Sequence, residues 1–250
     1  MSEPSDSFLP RREMLGRLAV AAGLATVSRP SGLAAAPPRA GRPSTPVSPA
    51  SALTMLLDGN RRFAEGRPQH PNGGLQRLKE LSGSQHPFAA IFGCVDSRVP
   101  PELLFDEGLG DLFCVRSAAQ VLDDAELGSL EFGVEELGIP LIVVLGHERC
   151  GAIKAALALA SAHERAPDRI GMLADALKPA IARGTVRPGD QVENTVRAQV
   201  ELTVERLKAV PLFAERLHDG RLDIVGARYD LDTGRVTLLQ PSVAAPVPLG

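Results

Sequence analysis

Two short apolar runs, each followed at once by a residue that can bind a metal, constrain this sequence more than any other feature. The first run spans residues 87–93 and precedes Cys94, and the second spans residues 140–146 and precedes His147. Continuous apolar runs of this length are typical of strands buried on both faces of a parallel sheet. Such sheets bind ligands at the carboxyl ends of their strands. The sequence therefore predicts that Cys94 and His147 meet at one edge of a parallel sheet.

The motifs that end these runs, CVDSR and GHERCG, supply a set of candidate zinc ligands. The thiols of Cys94 and Cys150 and the imidazole of His147 are donors that suit zinc. The apolar stretch after Cys150 predicts a helix, whose first turn would hold His147 and Cys150 three residues apart. A helix N-terminus also stabilises a thiolate. Asp96 is a carboxylate that could be a fourth ligand or could stand apart from the metal.

Spacing alone leaves other roles open for these residues. Cys94 and Cys150 could be buried structural thiols or could form a disulfide. Together with His147 and Asp96 they could instead close a structural zinc site, whereas a catalytic zinc site keeps one position for water. Asp96 and Arg98 by themselves could be an ordinary ion pair.

The sequence resembles the β-class carbonic anhydrases, which have a Cys-x-Asp-x-Arg motif at one strand end and a His-x-x-Cys-Gly motif at another. The family's helix signature Gly-Asn-x-Arg-Phe has a counterpart at residues 59–63, and the late strand at residues 224–230 is also similar. The resemblance covers residues 51–240 and implies that they form a catalytic domain. It implies a zinc-dependent lyase that converts carbon dioxide reversibly to bicarbonate and a proton. It also implies an apolar substrate pocket at a subunit interface, and therefore a homodimer or homotetramer.

In this interpretation Cys94, His147 and Cys150 bind the zinc and leave one position for water. The metal lowers the pKa of that water toward about 7, and the resulting zinc hydroxide attacks carbon dioxide. Asp96 accepts a hydrogen bond from the hydroxide and orients it. Arg98 holds Asp96 away from the metal with its forked guanidinium. Without this restraint Asp96 could become the fourth metal ligand and close the site.

One departure from the family pattern and two alternative functions accompany this interpretation. Ala119 and Gln120 stand where the family often has glycine and asparagine. This difference leaves the predicted metal ligands unchanged, but the rate and the substrate range could differ from those of the family. The same scaffold could be a hydrolase of carbonyl sulfide or carbon disulfide. It could also be a non-catalytic exported zinc protein in which Asp96 stays on the metal. Arg98 argues against the second alternative, because a permanent Asp ligand needs no such partner.

The order of the predicted elements indicates an α/β fold with a mostly parallel central sheet flanked by helices. An antiparallel edge hairpin near the C-terminus joins the last two strands. Strands are predicted near residues 87–93, 111–116, 140–146, 222–229 and 235–239, and helices near residues 51–65, 75–82, 101, 124–137, 150–163, 168–183 and 190–208. The last helix has an apolar stripe, which predicts core or subunit interface rather than a cofactor site.

The N-terminal segment is predicted to be an export signal rather than part of the fold. Residues 1–36 resemble a twin-arginine signal, because Arg11 and Arg12 precede an apolar stretch too short to span a bilayer. A disordered tail with a chance arginine pair is the alternative. Residues 37–50 are rich in Pro, Ser and Arg and predict a linker, and residues 241–250 a tail. We therefore expect an exported protein, periplasmic or extracellular, with no stable membrane insertion after signal removal.

Composition excludes some partners. The net charge is −3 at pH 7, no basic stripe is evident, aromatic residues make up only 4% and tryptophan is absent. A nucleic-acid partner is therefore not expected. Three cysteines are too few for a disulfide framework. Cys114 lies in an apolar run and is interpreted as a buried strand thiol.

Overall fold

The computed structural model describes residues 47–164 and 166–239. The strands are β1 (Ala89–Cys94), β2 (Leu112–Ser117), β3 (Leu141–His147), β4 (Asp223–Tyr229) and β5 (Val236–Leu238). The α-helices are α1 (Pro49–Ala64), α2 (Gly74–Glu80), α3 (Pro101–Leu104), α4 (Asp124–Glu135), α5 (Gly151–Ala162), α6 (Asp168–Ala176), α7 (Lys178–Thr185), α8 (Gln191–Lys208) and α9 (Pro211–His218). The predicted export signal, most of the predicted linker and the predicted C-terminal tail lie outside the described residues.

The five strands form one sheet in the order β2-β1-β3-β4-β5. The first four are parallel, and β5 pairs antiparallel with β4. The fold class predicted from the sequence, including the antiparallel edge hairpin, is confirmed. Because β1 and β3 are adjacent and parallel, their last residues, Cys94 and His147, lie at the same edge of the sheet.

Burial on both faces explains why the central strands are apolar throughout. Every residue of β1 and β3 is buried. The apolar stripe of α8 is core: Val196, Val200 and Val204 are buried on one face of the sheet. Val200 approaches so closely that a Cβ at Gly146 or Gly226 would lie within 2.8 Å of its methyl carbons. Glycine at those two strand positions therefore lets the helix sit directly on the sheet.

Three helix boundaries differ from the prediction, each with a local cause. The single helix predicted over residues 168–183 is broken into α6 and α7, because Pro179 lacks an N–H and its ring clashes with the preceding turn. Helix α9 was not predicted; it begins at Pro211, a favoured first residue. Helix α1 begins at Pro49, inside the predicted linker, after the side chain of Ser48 caps its first turn. None of the helices within residues 47–164 and 166–239 combines the length and apolar character that crossing a bilayer requires.

Candidate metal centre

Three buried donor groups converge at the carboxyl edge of the sheet. The thiols of Cys94 and Cys150 and the imidazole of His147 place their donor atoms within 4.8 Å of one another. Nδ1 of His147 lies 2.9 Å from the carbonyl oxygen of Glu148. A carbonyl can only accept, so Nδ1 is the donor of this bond, and in the neutral imidazole Nε2 then presents a lone pair. Within the described part of the chain, Nε2 is buried and has no hydrogen-bond partner. Two thiols facing a free imidazole nitrogen fit zinc.

The three donors come from two strand ends and one helix start. Cys94 ends β1, His147 ends β3, and Cys150 is the N-cap residue of α5. The expectation that His147 and Cys150 share a helical turn is wrong. Arg149 lies between them in the left-handed region, with φ of 51°. This sharp turn, rather than helical spacing, brings Cys150 back toward His147.

The pKa values of the two neighbouring thiols are shifted in opposite directions. The hydrogen bond with Cys150 is the largest of the causes that together lower the pKa of Cys94 to about 4; burial opposes it, and the backbone N–H of Ala119 acts in the same direction as Cys150. The Ala119 N–H lies 3.3 Å from the Cys94 sulfur. The contact with Cys94, together with burial, raises the pKa of Cys150. Cys94 is therefore the thiol that more readily becomes a thiolate, the form that binds a metal.

Asp96 lies beside the three donors and is gripped by Arg98. Arg98 donates from Nε to Oδ1 at 2.9 Å and from Nη2 to Oδ2 at 2.8 Å, and its backbone N–H donates to Oδ1 at 2.9 Å. The hydrogen bond from the Arg98 side chain is the largest cause that holds the pKa of Asp96 far below its usual range. Oδ2 of Asp96 is 3.9 Å from Nε2 of His147. Asp96 is thus close to the metal centre while both its oxygens are held by Arg98.

Sequence reasoning missed Arg116 as a positioning residue. Its Nε donates to the carbonyl oxygen of Cys94 at 2.8 Å, and its Nη2 donates to that of Asp96 at 2.7 Å. Arg116 therefore fixes the chain on either side of Val95, between the thiol and the carboxylate. The sequence did contain one signal of this role, because Arg116 is a charged residue in the otherwise largely apolar strand β2.

Ala119 and Gln120, the departure noted from the family pattern, both adopt left-handed backbone conformations. Their φ angles are 52° and 50°, where glycine and asparagine are more comfortable. Both residues are buried. The Ala119 N–H nevertheless donates to the Cys94 sulfur. This chain therefore makes the backbone contact to the thiol at the cost of local strain.

Fold and donor set together define a zinc-binding α/β protein with an arginine-held carboxylate beside the metal centre. The family model described as carbonic anhydrase matches residues 89–236. Carbonic anhydrase 2 of Mycobacterium tuberculosis is 42% identical over 193 residues, which cover 77% of this chain and 93% of that protein.

Solved structures show the same fold. The β-carbonic anhydrase of Coccomyxa has a TM-score of 0.61 at 26% identity, covering 77% of this chain and 88% of that one. A β-carbonic anhydrase of Sordaria macrospora has a TM-score of 0.61 at 22% identity, covering 76% and 98%. The chain belongs to the β-class carbonic anhydrases, and the predicted enzyme class and zinc dependence are confirmed.

Proposed function

We propose that this chain hydrates carbon dioxide reversibly to bicarbonate and a proton, with Cys94, His147 and Cys150 as its zinc ligands. The observation that carries the assignment is the buried Nε2 of His147, which faces two buried thiols. When bound, zinc supplies a Lewis acid that activates water near neutral pH. Three protein ligands leave room at the metal for a small substrate, in contrast to a closed structural site.

Asp96 and Arg98 are proposed as the orienting and gating pair. Because Arg98 keeps Asp96 ionised, the carboxylate can only accept hydrogen bonds, which suits it to orient the attacking water. Arg98 also holds Oδ2 at its present distance of 3.9 Å from His147 Nε2. If the pair separates, Asp96 is free to rotate toward the metal and become a fourth ligand. The arrangement with both oxygens held by Arg98 supports an open site rather than a permanently closed one.

Stopped-flow hydration of carbon dioxide tests the proposal directly. The zinc-loaded protein is compared with protein stripped by a chelator and with stripped protein reloaded with zinc. We expect hydration that is lost on stripping and restored on reloading. A parallel assay with carbonyl sulfide separates the nearest alternative: zinc-dependent hydrolysis of carbonyl sulfide without hydration of carbon dioxide would replace the proposed substrate.

A homodimer or homotetramer is the proposed assembly. Leu75 and Leu78, three residues apart on α2, are both exposed, as is the neighbouring Leu109. The Sordaria macrospora relative is described as tetrameric. Sedimentation of the wild type and of a Leu75→Glu, Leu78→Glu variant tests this surface. Val186→Glu, at another exposed apolar position, is the control. A wild-type monomer would contradict the proposed assembly, and a multimeric leucine variant would exclude this surface.

Export through the twin-arginine route is the proposed localisation. That route carries folded proteins, and a thiol site loaded with metal beforehand is protected from oxidation outside the cytoplasm. Replacing Arg11 and Arg12 together with lysine should retain the precursor inside the cell. The same exchange at Arg39 and Arg42 is the matched control and should leave export unchanged. Normal export of the first variant would contradict the proposal.

A further inference from the structure

We propose that Arg228, on β4, is a positioning residue for the metal centre and acts through Glu148, which lies between the ligands His147 and Cys150. The inference rests on the ligand assignment proposed above. Only 13% of the Arg228 side chain is exposed. Its guanidinium contacts carboxylates from three separate parts of the fold. These are Glu193 of α8 at 2.6 Å, Asp230 at 3.1 Å and Glu148 at 3.2 Å.

Glu148 connects this buried arginine to the ligand His147. The Glu148 carbonyl accepts the hydrogen bond from Nδ1 of His147 at 2.9 Å. That bond fixes the imidazole tautomer and directs Nε2 toward the thiols. The Glu148 N–H donates to the carbonyl of Tyr229 at 3.0 Å. Its side chain accepts from the Leu231 N–H at 3.2 Å and pairs with Arg228. Glu148 is thus held from both its backbone and its side chain.

A second ion pair, between Arg149 and Asp232, holds the other half of the same loop. We call this pair and the pair between Arg228 and Glu148 the two clamps. Arg149 donates to Asp232 through two nitrogens, at 2.9 and 2.6 Å. Asp232 lies in the turn between β4 and β5, and its N–H donates to Asp230 at 3.0 Å. The pair holds Arg149 to that turn while its backbone stays in the left-handed conformation just before Cys150. Because Arg149 and Asp232 are more exposed than Arg228, we expect their clamp to be the weaker one.

The loop of Glu148 and Arg149 lies between two of the three ligands. The two clamps together attach this loop to the β4–β5 hairpin. Glu148, Asp230 and Asp232 also form an acidic group within 4.8 Å. Each of these three carboxylates pairs with Arg149 or Arg228, so the group anchors the loop through ion pairs. Among the described residues, the ion pairs of the Arg228 guanidinium are with Glu148, Glu193 and Asp230, so its effect on the ligands passes through Glu148. The expected consequence is slower zinc release and higher zinc affinity, because supporting contacts keep ligands in their binding geometry.

The test is the rate of zinc release to an excess of a chromophoric chelator, measured on the full-length holoenzyme. We expect Arg228→Met to weaken zinc retention by about 10- to 100-fold, and Arg228→Lys to restore part of it. Arg187→Met is the matched control, because Arg187 makes a partly buried pair with Glu201 at 2.6 Å in another part of the fold. It should release zinc at the wild-type rate. Melting temperatures of the metal-free proteins report any general loss of stability.

Glu148→Gln tests the same contact from its other side and preserves the shape of the residue. If Arg228 acts through Glu148, the Gln variant should also release zinc faster, and the double variant should be no worse than Arg228→Met alone. Wild-type zinc retention in Glu148→Gln, or in Arg228→Met with only a lowered melting temperature, would overturn the inference. If Arg228→Met does not fold, the Glu148→Gln result decides alone. Undiminished zinc binding by Cys150→Ser would instead overturn the ligand assignment.

Discussion

Two arginine–aspartate pairs in this protein have similar chemistry but differ in their exposure to solvent. Arg62 contacts Asp106 through Nε at 2.6 Å, and Arg98 contacts Asp96 through Nε at 2.9 Å. The Asp106 side chain is 0% exposed and that of Arg62 is 19% exposed. The corresponding values for Asp96 and Arg98 are 16% and 51%. One pair is therefore sealed in the fold, whereas the other opens to solvent beside the metal centre.

Their other partners explain the difference. Asp106 also accepts hydrogen bonds from the backbone N–H groups of Gln69 and His70, at 2.9 and 2.8 Å. It joins α1, through Arg62, to the segment that follows that helix, so losing it would leave several buried donors without a partner. Among the described residues, the Asp96 carboxylate accepts its hydrogen bonds from the side chain and backbone of Arg98. Half of the Arg98 side chain is exposed, so water can solvate the guanidinium when the pair separates, as the proposed gate requires.

The largest expected effect is on the sealed pair. Asp106→Asn removes the charge that Arg62 and two backbone donors share, and breaking a buried pair costs about 3 kcal/mol or more. Urea unfolding measures this loss. The folded fraction should keep its zinc and its turnover number. Wild-type stability combined with reduced turnover would reverse the roles assigned to the two pairs.

Asp96→Asn should have the complementary effect. We expect turnover to fall by a factor that corresponds to about 2.7 kcal/mol or more, the cost of removing one well-placed polar group. Zinc content should not change, since the three ligands remain, and unfolding free energy should change by less than about 1 kcal/mol. Stopped-flow hydration and metal analysis of the same preparation measure both. Unchanged turnover would remove Asp96 from the mechanism.

Arg98→Ala tests the gate. With zinc bound, the freed Asp96 would compete with hydroxide for the metal, and hydroxide is scarcer at lower pH, so acid would favour closure. Activity should therefore rise with pH in the wild type and rise at higher pH in Arg98→Ala. Arg62→Ala is the matched control: it should lower the melting temperature and leave the pH profile in place. An unshifted profile in Arg98→Ala would make Arg98 an ordinary surface partner.

The smallest expected effect is an acid-dependent loss of stability from Asp106. Burial raises the pKa of Asp106, but hydrogen bonds from Gln69, Arg62 and His70 outweigh burial and lower it on balance. A lowered folded-state pKa contributes stability above the unfolded pKa, near 3.9, and loses it as pH falls through the folded value. The stability difference between wild type and Asp106→Asn should therefore shrink below about pH 4. A constant difference across that range would contradict the assignment.

The sequence predicted the parts of the site that depend on local patterns. The apolar runs that became β1 and β3 predicted buried parallel strands, and their neighbours Cys94 and His147 were expected at one edge. The same patterns could not show that β1 lies next to β3. That adjacency is a finding of the structure.

The missed features depend on conformation or on distant pairing. Nothing in the spacing of GHERCG indicates that Arg149 is left-handed, so the helical turn expected for His147 and Cys150 was wrong. Arg228 and Glu148 are 80 positions apart in the chain and meet only because β4 lies beside β3. Pro179, by contrast, was a visible signal for the break between α6 and α7.

Metal analysis of three purified proteins tests the central claim most directly. The wild type, Cys150→Ser and Cys114→Ser are compared for zinc per chain. Cys114 is the matched control, because its thiol lies on β2, contacts Glu102 and is raised in pKa mainly by burial. We predict one zinc per chain in the wild type and in Cys114→Ser, and a clear loss in Cys150→Ser. Equal zinc in all three proteins would contradict the assignment of Cys94, His147 and Cys150 as the metal ligands.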